Sequence, residues 1–363
     1  MEEKKEILNE TPELETAVSP ETAVETPVEE KESLSDRVRV LSPGMMVAKR
    51  FFRSKLSVIG LLILVALFIF SFIGPMFSQW SNAGVSVKDE GYKTVTIGEG
   101  KISYIQDGEA YTAYAITETL NDFNKRGDMT WDHLLGTDDS GYDLFTNLML
   151  GGRISLTIGF VVVIMEAILG AILGGVAGYF GGWIDNLIMR IVDVLSCIPS
   201  MPIMLILSIV LTNLGITDIS KLYYMMIVLT LLGWTGIARL VRGQILSLRE
   251  QDFMLAAKAS GISTSKKIFR HLLPNVMPQL IVSMTMGLGS IILMEATLGF
   301  LGLGAPMDVP TWGSMISAAS KYTYLNYYPN FWIPPGICIT LAILGFNFVG
   351  DGLRDAFDPK MKR

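Results

Sequence analysis

The chain has 363 residues, half of them hydrophobic and only 18% charged, with a mean hydropathy of +0.43. That balance argues against a water-soluble domain built on one core and for large apolar surfaces facing lipid. The formal charge of −6 says nothing about the partner of the core, because residues 1–32 hold eleven Glu against three Lys and the remainder is about +2; no nucleic-acid partner is expected.

Residues 1–36 are expected to form a disordered acidic tail. Glu15-Thr16-Ala17-Val18 recurs as Glu21-Thr22-Ala23-Val24, with Pro12, Pro20 and Pro27 interleaved and no aromatic residue, so little apolar area is available to offset chain entropy. Its acidic start is unlike the basic start of a signal peptide. Residues 37–77 then read as an amphipathic segment and a first membrane span.

A helix needs about 20 mostly apolar residues to cross hydrocarbon, where backbone groups find no outside partner. Six stretches qualify: Ser57–Phe77, Ile154–Tyr179, Ile184–Leu211, Leu222–Leu240, Val276–Leu298 and Phe331–Gly350. Pro199 and Pro202 predict a kink in the third. Lys49, Arg50, Arg53 and Lys55 precede the first span, seven basic residues from Arg239 to Arg270 surround the fourth-to-fifth connection, and Arg354, Lys360, Lys362 and Arg363 follow the last. Short loops opposite offer only Lys221 and Lys321. Both termini are therefore expected in the cytoplasm.

Between the first two spans, residues 78–150 read as an extracellular insert. From Lys93 to Ile116 β-branched and aromatic residues alternate with polar ones, interrupted at Gly98-Glu99-Gly100 and Asp107-Gly108, the pattern of two or three short antiparallel strands. Its role is either a plain cap over the membrane part or a docking surface. In the last outer loop, Trp312, Tyr322, Tyr324, Tyr327, Tyr328 and Trp332 read as an interfacial aromatic belt, with contact to a substrate-delivery protein as the alternative.

The connection 243–275 carries the strongest pattern. Residues 250–260 favour a helix with Phe253, Ala256 and Ala257 on one face. Gly261 stops it, Ser263 or Thr264 caps a second helix running to Leu273, and Pro274 suits the first turn of the next span. Small residues at the tip allow a partner's groove to approach closely.

Among charges in the spans, Glu166 is the deepest and either lines a pathway or pairs with another helix, and Glu295 is a second pathway candidate. Arg190 and Asp193, three residues apart, read as a local pair. Cys197 and Cys338 sit in apolar stretches and read as small buried hydrophobes. His133 and His271 lack neighbouring ligand-type residues, so no metal site is expected. A phosphate loop, a nucleophile elbow and an H-E-x-x-H pair are all missing, so neither catalytic residues nor a cofactor are expected.

The stretch around Gly261 resembles the EAA loop of bacterial ABC-type import permeases: Ala256, Ala257, Gly261, Leu273 and Pro274 keep its spacing, while Leu255 and His271 stand where that pattern has Glu and Ile. Gly136-Thr137-Asp138-Asp139-Ser140-Gly141-Tyr142-Asp143, Gly151-Gly152-Arg153, Gly178-Tyr179-Phe180-Gly181-Gly182-Trp183, Leu298-Gly299-Phe300-Leu301-Gly302 and Phe346-Asn347-Phe348-Val349-Gly350-Asp351-Gly352 resemble the oligopeptide and dipeptide branch of that family, with Tyr142 where Arg is typical. The resemblance covers residues 44–77 and 131–363. It implies an all-α membrane protein with the six-helix ABC importer type I permease fold, residues 151–352 forming the transmembrane domain and residues 353–363 a cytoplasmic end, in the plasma membrane.

It also implies partners: a second homologous permease, two cytoplasmic ABC ATPases that dock on Ala256, Ala257, Lys258, Gly261, Ile262, Ser263 and Pro274, an external peptide-binding protein, and a peptide as cargo. Related branches carry nickel or other small solutes. A secondary transporter is the rival reading from another class, but its internal repeats are not evident; a membrane scaffold displaying the insert is a third.

Overall fold

Apolar runs of this length have one way to satisfy their own backbone in lipid, which is to coil. The computed structural model describes residues 43–78, 80, 93–96, 101–106, 109–114, 119–122, 126–138, 141–216, 219–305 and 309–358. The acidic tail expected over 1–36, residues 37–42 and residues 359–363 lie outside these.

Helix α1 (Pro43–Arg53) is amphipathic and ends at Ser54, whose hydroxyl accepts the Ser57 N–H at 3.4 Å and opens α2 (Lys55–Phe77), with a π-helical turn at Ile69–Ile73. The Arg50 guanidinium donates to the Asp358 carbonyl at 3.2 Å and so joins the two ends of the bundle. Between α2 and the next helix the described backbone contains four short strands, β1 (Lys93–Thr96), β2 (Lys101–Gln106), β3 (Glu109–Tyr114) and β4 (Thr119–Asp122). They pair antiparallel as β1 with β4 and β2 with β3, Gln106 lying opposite Glu109, and form two separate two-stranded ladders.

The membrane part continues with α3 (Leu144–Phe180), α4 (Gly182–Cys197), α5 (Ser200–Asn213), α6 (Ser220–Leu248), α7 (Asp252–Ala259), α8 (Thr264–Phe300), α9 (Trp312–Ile316), α10 (Tyr322–Tyr327) and α11 (Pro329–Phe357). Among the described residues α2, α3, α6, α8 and α11 are long and apolar enough to cross a membrane, and the bent pair α4–α5 makes a sixth span if counted as one. The bend is 73°. Its cause is the one the prolines predict: Ile198, before Pro199, is driven to an extended backbone (ψ 119°), and Pro199 has no amide to continue the ladder.

Several sequence expectations shift. Helix α3 starts at Leu144, inside the stretch assigned to the insert, because the Asp143 carboxylate accepts the Thr146 N–H at 2.7 Å and nucleates the helix early. Helix α11 runs on to Phe357, past the expected end of the domain. Cys338 is buried as expected, but Cys197 is exposed, since it sits at the break where α4 leaves the bundle.

The most extensive interface is α3 against α6. Gly170, Gly174 and Gly178 form a stripe on α3, and a Cβ at Gly174 would overlap the backbone of Ala238. Lipid gives helices little hydrophobic reason to associate, so close backbone approach over small residues does that work. Elsewhere α2 packs on α11 and α11 on α8, around a core of Leu64, Leu156, Ile292, Trp312, Ala342 and Phe346. The outer face of α2 leaves Leu56, Ile59, Leu62 and Val65 exposed, as a lipid-facing surface does.

Trp312 and Tyr324 depart from the expected belt. Trp312 is fully buried, donating from Nε1 to the Leu148 carbonyl at 3.0 Å, and Tyr324 packs against Phe331 in a cluster with Leu144. An indole or phenol ring that finds an internal hydrogen-bond or ring partner has no need of the interface. Tyr322 and Tyr327 remain exposed.

Candidate functional site

Two features combine exposed or unpaired chemistry with a built scaffold: the α6–α8 connection and an open cavity in the middle of the helices.

The connection is held from beneath. Met254 on α7 is buried in a cluster with Ile245 of α6 and Leu272 and Val276 of α8, and Ala257 on the same side of α7 is buried too. Helix α7 ends in a Schellman turn: the Ile262 N–H bonds the Ala257 carbonyl at 3.2 Å, the Gly261 N–H bonds Lys258 at 3.1 Å, and Gly261 has φ +67°, a backbone that glycine adopts without a Cβ penalty. Ser263 occupies the N-cap of α8, with no capping hydrogen bond from its side chain. The second helix does not end at Leu273 as expected. It passes through a π-helical turn at Lys267–Leu272 and continues unbroken to Phe300. The wider turn, with the Leu273 N–H bonded to the Ile268 carbonyl, accommodates the missing amide of Pro274 without a break.

Of the residues singled out in sequence, Ala256, Lys258, Gly261, Ser263 and Pro274 are exposed on this element and Ile262 is half-buried. Ala257 is the exception. It is buried, and it shares its face with Met254 rather than with Phe253 and Ala256. Ala257 lies three residues after Met254, so the two share the side of the helix that meets the bundle, and Ala256 falls outside it. Sequence reasoning passed over Leu255, Phe269 and Met277, which are exposed apolar residues on the same connection; their signal was large apolar side chains among the Lys and Arg of a loop.

Arginines fasten the base of this element. Arg242 on α6 makes a two-point contact with Asp185 on α4, Nε to Oδ1 at 2.5 Å and Nη2 to Oδ2 at 2.6 Å. Arg249 donates to the Gly178 carbonyl at 3.1 Å, at the carbonyl-rich end of α3, where a cation is favoured. Arg239 pairs with Asp193 at 3.1 Å and also reaches the Ser196 hydroxyl. This corrects the expected Arg190–Asp193 pair: the carboxylate turns to a guanidinium on the neighbouring helix instead of along its own.

The cavity, of about 330 Å³, opens between α3, the α4–α5 break, α6 and α8. Glu166 lines it from α3 together with Ser196, Ser200, Gly233, Thr235 and Ser290. The Glu166 carboxylate is buried, and Oε1 has no hydrogen-bond partner among the described residues. Glu295 sits elsewhere. It is buried near the α9 loop, where Oε2 accepts the Ser155 hydroxyl at 2.9 Å, and Ser155 Oγ in turn accepts the Trp312 N–H at 3.2 Å. Those bonds tie Glu295 to the loop, and it also lines a small separate pocket with Ile158, Leu222 and Leu298. No group of three or more metal-type ligands occurs among the described residues.

Residues 170–363 match the family described as the binding-protein-dependent transport system inner membrane component, and residues 42–90 match the N-terminal TM domain of oligopeptide transport permease C. Similar proteins include a dipeptide transport system permease protein, DppC, of Alkalihalophilus pseudofirmus, 36% identical over 90% of this chain and 93% of that one. The oligopeptide transport system permease protein OppC of Bacillus subtilis is 35% identical over 86% of this chain and 88% of its own length. A solved chain of the MetNI methionine ABC transporter in inward-facing form aligns with a TM-score of 0.46 and 21% identity, covering 58% of this chain and 96% of that one. The chain thus belongs to the family of binding-protein-dependent transport system inner membrane components, as a multi-pass membrane permease.

Proposed function

We propose that the chain is one of two homologous permeases in an ATP-driven importer of oligopeptides or dipeptides, with the type I arrangement of six spans. Two ATPase subunits in the cytoplasm supply the energy, and an external binding protein delivers the peptide. Both chain ends and the α6–α8 connection then lie in the cytoplasm, in keeping with the basic residues around them, and the β1–β4 segment lies outside.

The observation that carries this reading is the build of the connection. A short helix is clamped to the bundle by Met254 and Ala257 on one side, while its other side and the Gly261 tip offer Phe253, Lys258 and small residues to a partner. Such an element suits a rigid lever better than a flexible link. Closure of the ATPases around ATP pushes the tip, and the difference in ATP affinity between the two permease states biases the equilibrium between inward-open and outward-open forms. The names of the similar proteins support peptide as the cargo, and the large cavity lined by Glu166 supports a pathway through this face.

Replacing Gly261 tests the reading. Gly261→Arg is expected to leave the chain in the membrane and associated with its partners while uncoupling ATP hydrolysis from peptide uptake. Gly261→Asn, which tolerates the same left-handed backbone, is expected to retain uptake. Normal uptake by the Arg variant in reconstituted vesicles would sink the assignment of this tip as the coupling point.

A further inference from the structure

We infer that Glu166 is a way-station for the side-chain ammonium group of a lysine in the cargo as it crosses the membrane. The inference rests on the reading of the chain as a peptide permease and gives that reading a specific chemistry.

A carboxylate in the middle of a membrane helix is costly, and such residues are retained where they face a cavity or meet a partner. Glu166 has the cavity and lacks the partner. Its side chain is 7% exposed, Oε1 is unpaired among the described residues, and the wall opposite is Gly233, where a Cβ would overlap Oε1. Any other residue at position 233 would push the carboxylate aside, so the site is shaped around the acid.

The lining has one sign. Glu166 is the one charged residue among the described lining residues. Arg239 reaches Ser196 of the lining, and its charge is already met by Asp193. The hydroxyls of Ser200, Thr235 and Ser290 complete a polar collar that can accept hydrogen bonds. A cavity with one free acid, several hydroxyls and no free base suits a cation carrying several N–H donors. An ammonium group fits, and a lysine side chain carries one at the end of a slim four-carbon stem; the cavity volume of about 330 Å³ admits a group of that size. Contact with a free, buried acid favours the cation over neutral or acidic groups. A single acid with hydroxyl neighbours also holds weakly enough to release, as passage requires.

The test uses the complete transporter in lipid vesicles, with both permeases, both ATPases and the binding protein. Uptake of alanyl-lysyl-alanine and of alanyl-glutamyl-alanine is measured for the wild type and for Glu166→Gln. Because the binding protein is the same in both, dividing the variant rate by the wild-type rate for each peptide removes its preferences. Expected is a fall for the lysyl peptide on the order of tenfold, the usual scale for losing a hydrogen bond to a charged group, with a clearly smaller fall or a gain for the glutamyl peptide. Glu166→Asp is expected to restore much of the discrimination. Equal effects on both peptides would overturn the inference, and so would loss of the second permease from the purified complex, which would make Glu166 an interface residue. If the wild-type complex imports neither of these nor the dipeptide alanyl-lysine, the peptide-permease reading itself falls.

Discussion

Arg242 and Asp185 meet through two parallel bonds, a geometry that depends on the planar guanidinium as much as on its charge. Asp185→Asn should therefore lower stability by about 1.5–3 kcal/mol, the range for hydrogen bonds to charged groups, and Arg242→Lys should recover only part of the loss. Thermal unfolding in a mild detergent measures both; an unchanged midpoint for Asp185→Asn would show that the pair contributes nothing. The sequence hid this contact for a physical reason. Spacing reveals partners along one helix, as with Arg190 and Asp193, but Arg239 and Asp193 are 46 residues apart and Arg242 and Asp185 are 57 apart. Trp312 was misread for the same reason, because its acceptor Leu148 is 164 residues away. Gly261 was legible because the need for a left-handed backbone is local and glycine meets it at least cost.

At the scale of elements, the glycine stripe on α3 makes a direct prediction. Gly174→Val should force α3 and α6 apart and cost about 1–3 kcal/mol or more, as overpacking does. Gly243→Val, on α6 with nothing within 4 Å of its added Cβ, should cost far less. Resistance to proteolysis in detergent separates the two, and equal behaviour would mean that the close approach at Ala238 is unimportant. Here the sequence was informative about which segments span, since hydrocarbon imposes length and apolarity on each one separately. It was less informative about where helices begin and end. Pro274 looked like the start of a new span, yet a π-helical turn carries the same helix past it, and nothing in residue type alone distinguishes those outcomes.

On the scale of the whole molecule, the bundle sorts its two thiols. Cys338 is buried between helices and Cys197 is exposed at the break in α4–α5. A membrane-permeant maleimide should modify Cys197 and leave Cys338 intact until the protein unfolds; labelling of both at equal rates in the folded chain would contradict the packing of α11. The cavity belongs to this scale as well. Glu166 could be named from sequence as the deepest charge, but its neighbours could not: Gly233 and Ser290 come from separate helices, and Ser196 and Ser200 flank a bend. Glu295 had an equal claim in sequence, and neither its bond to Ser155 nor its place in the wall of a separate small pocket was legible there, because burial alone does not say whether a charge faces a cavity or a neighbour.

Helix α8 has a consequence in simple mechanics. Its 37 residues run from Thr264 to Phe300 without a break, a strut of roughly 55 Å. Near one end stands the Gly261 turn; near the other, Gly299 abuts Gly313 in the segment anchored by Trp312. Pivoting such a strut by about 10° around its midpoint sweeps each end through about 5 Å, in opposite directions. A displacement applied at the tip thus arrives across the bilayer with its sense reversed, so one continuous helix can open one side while closing the other.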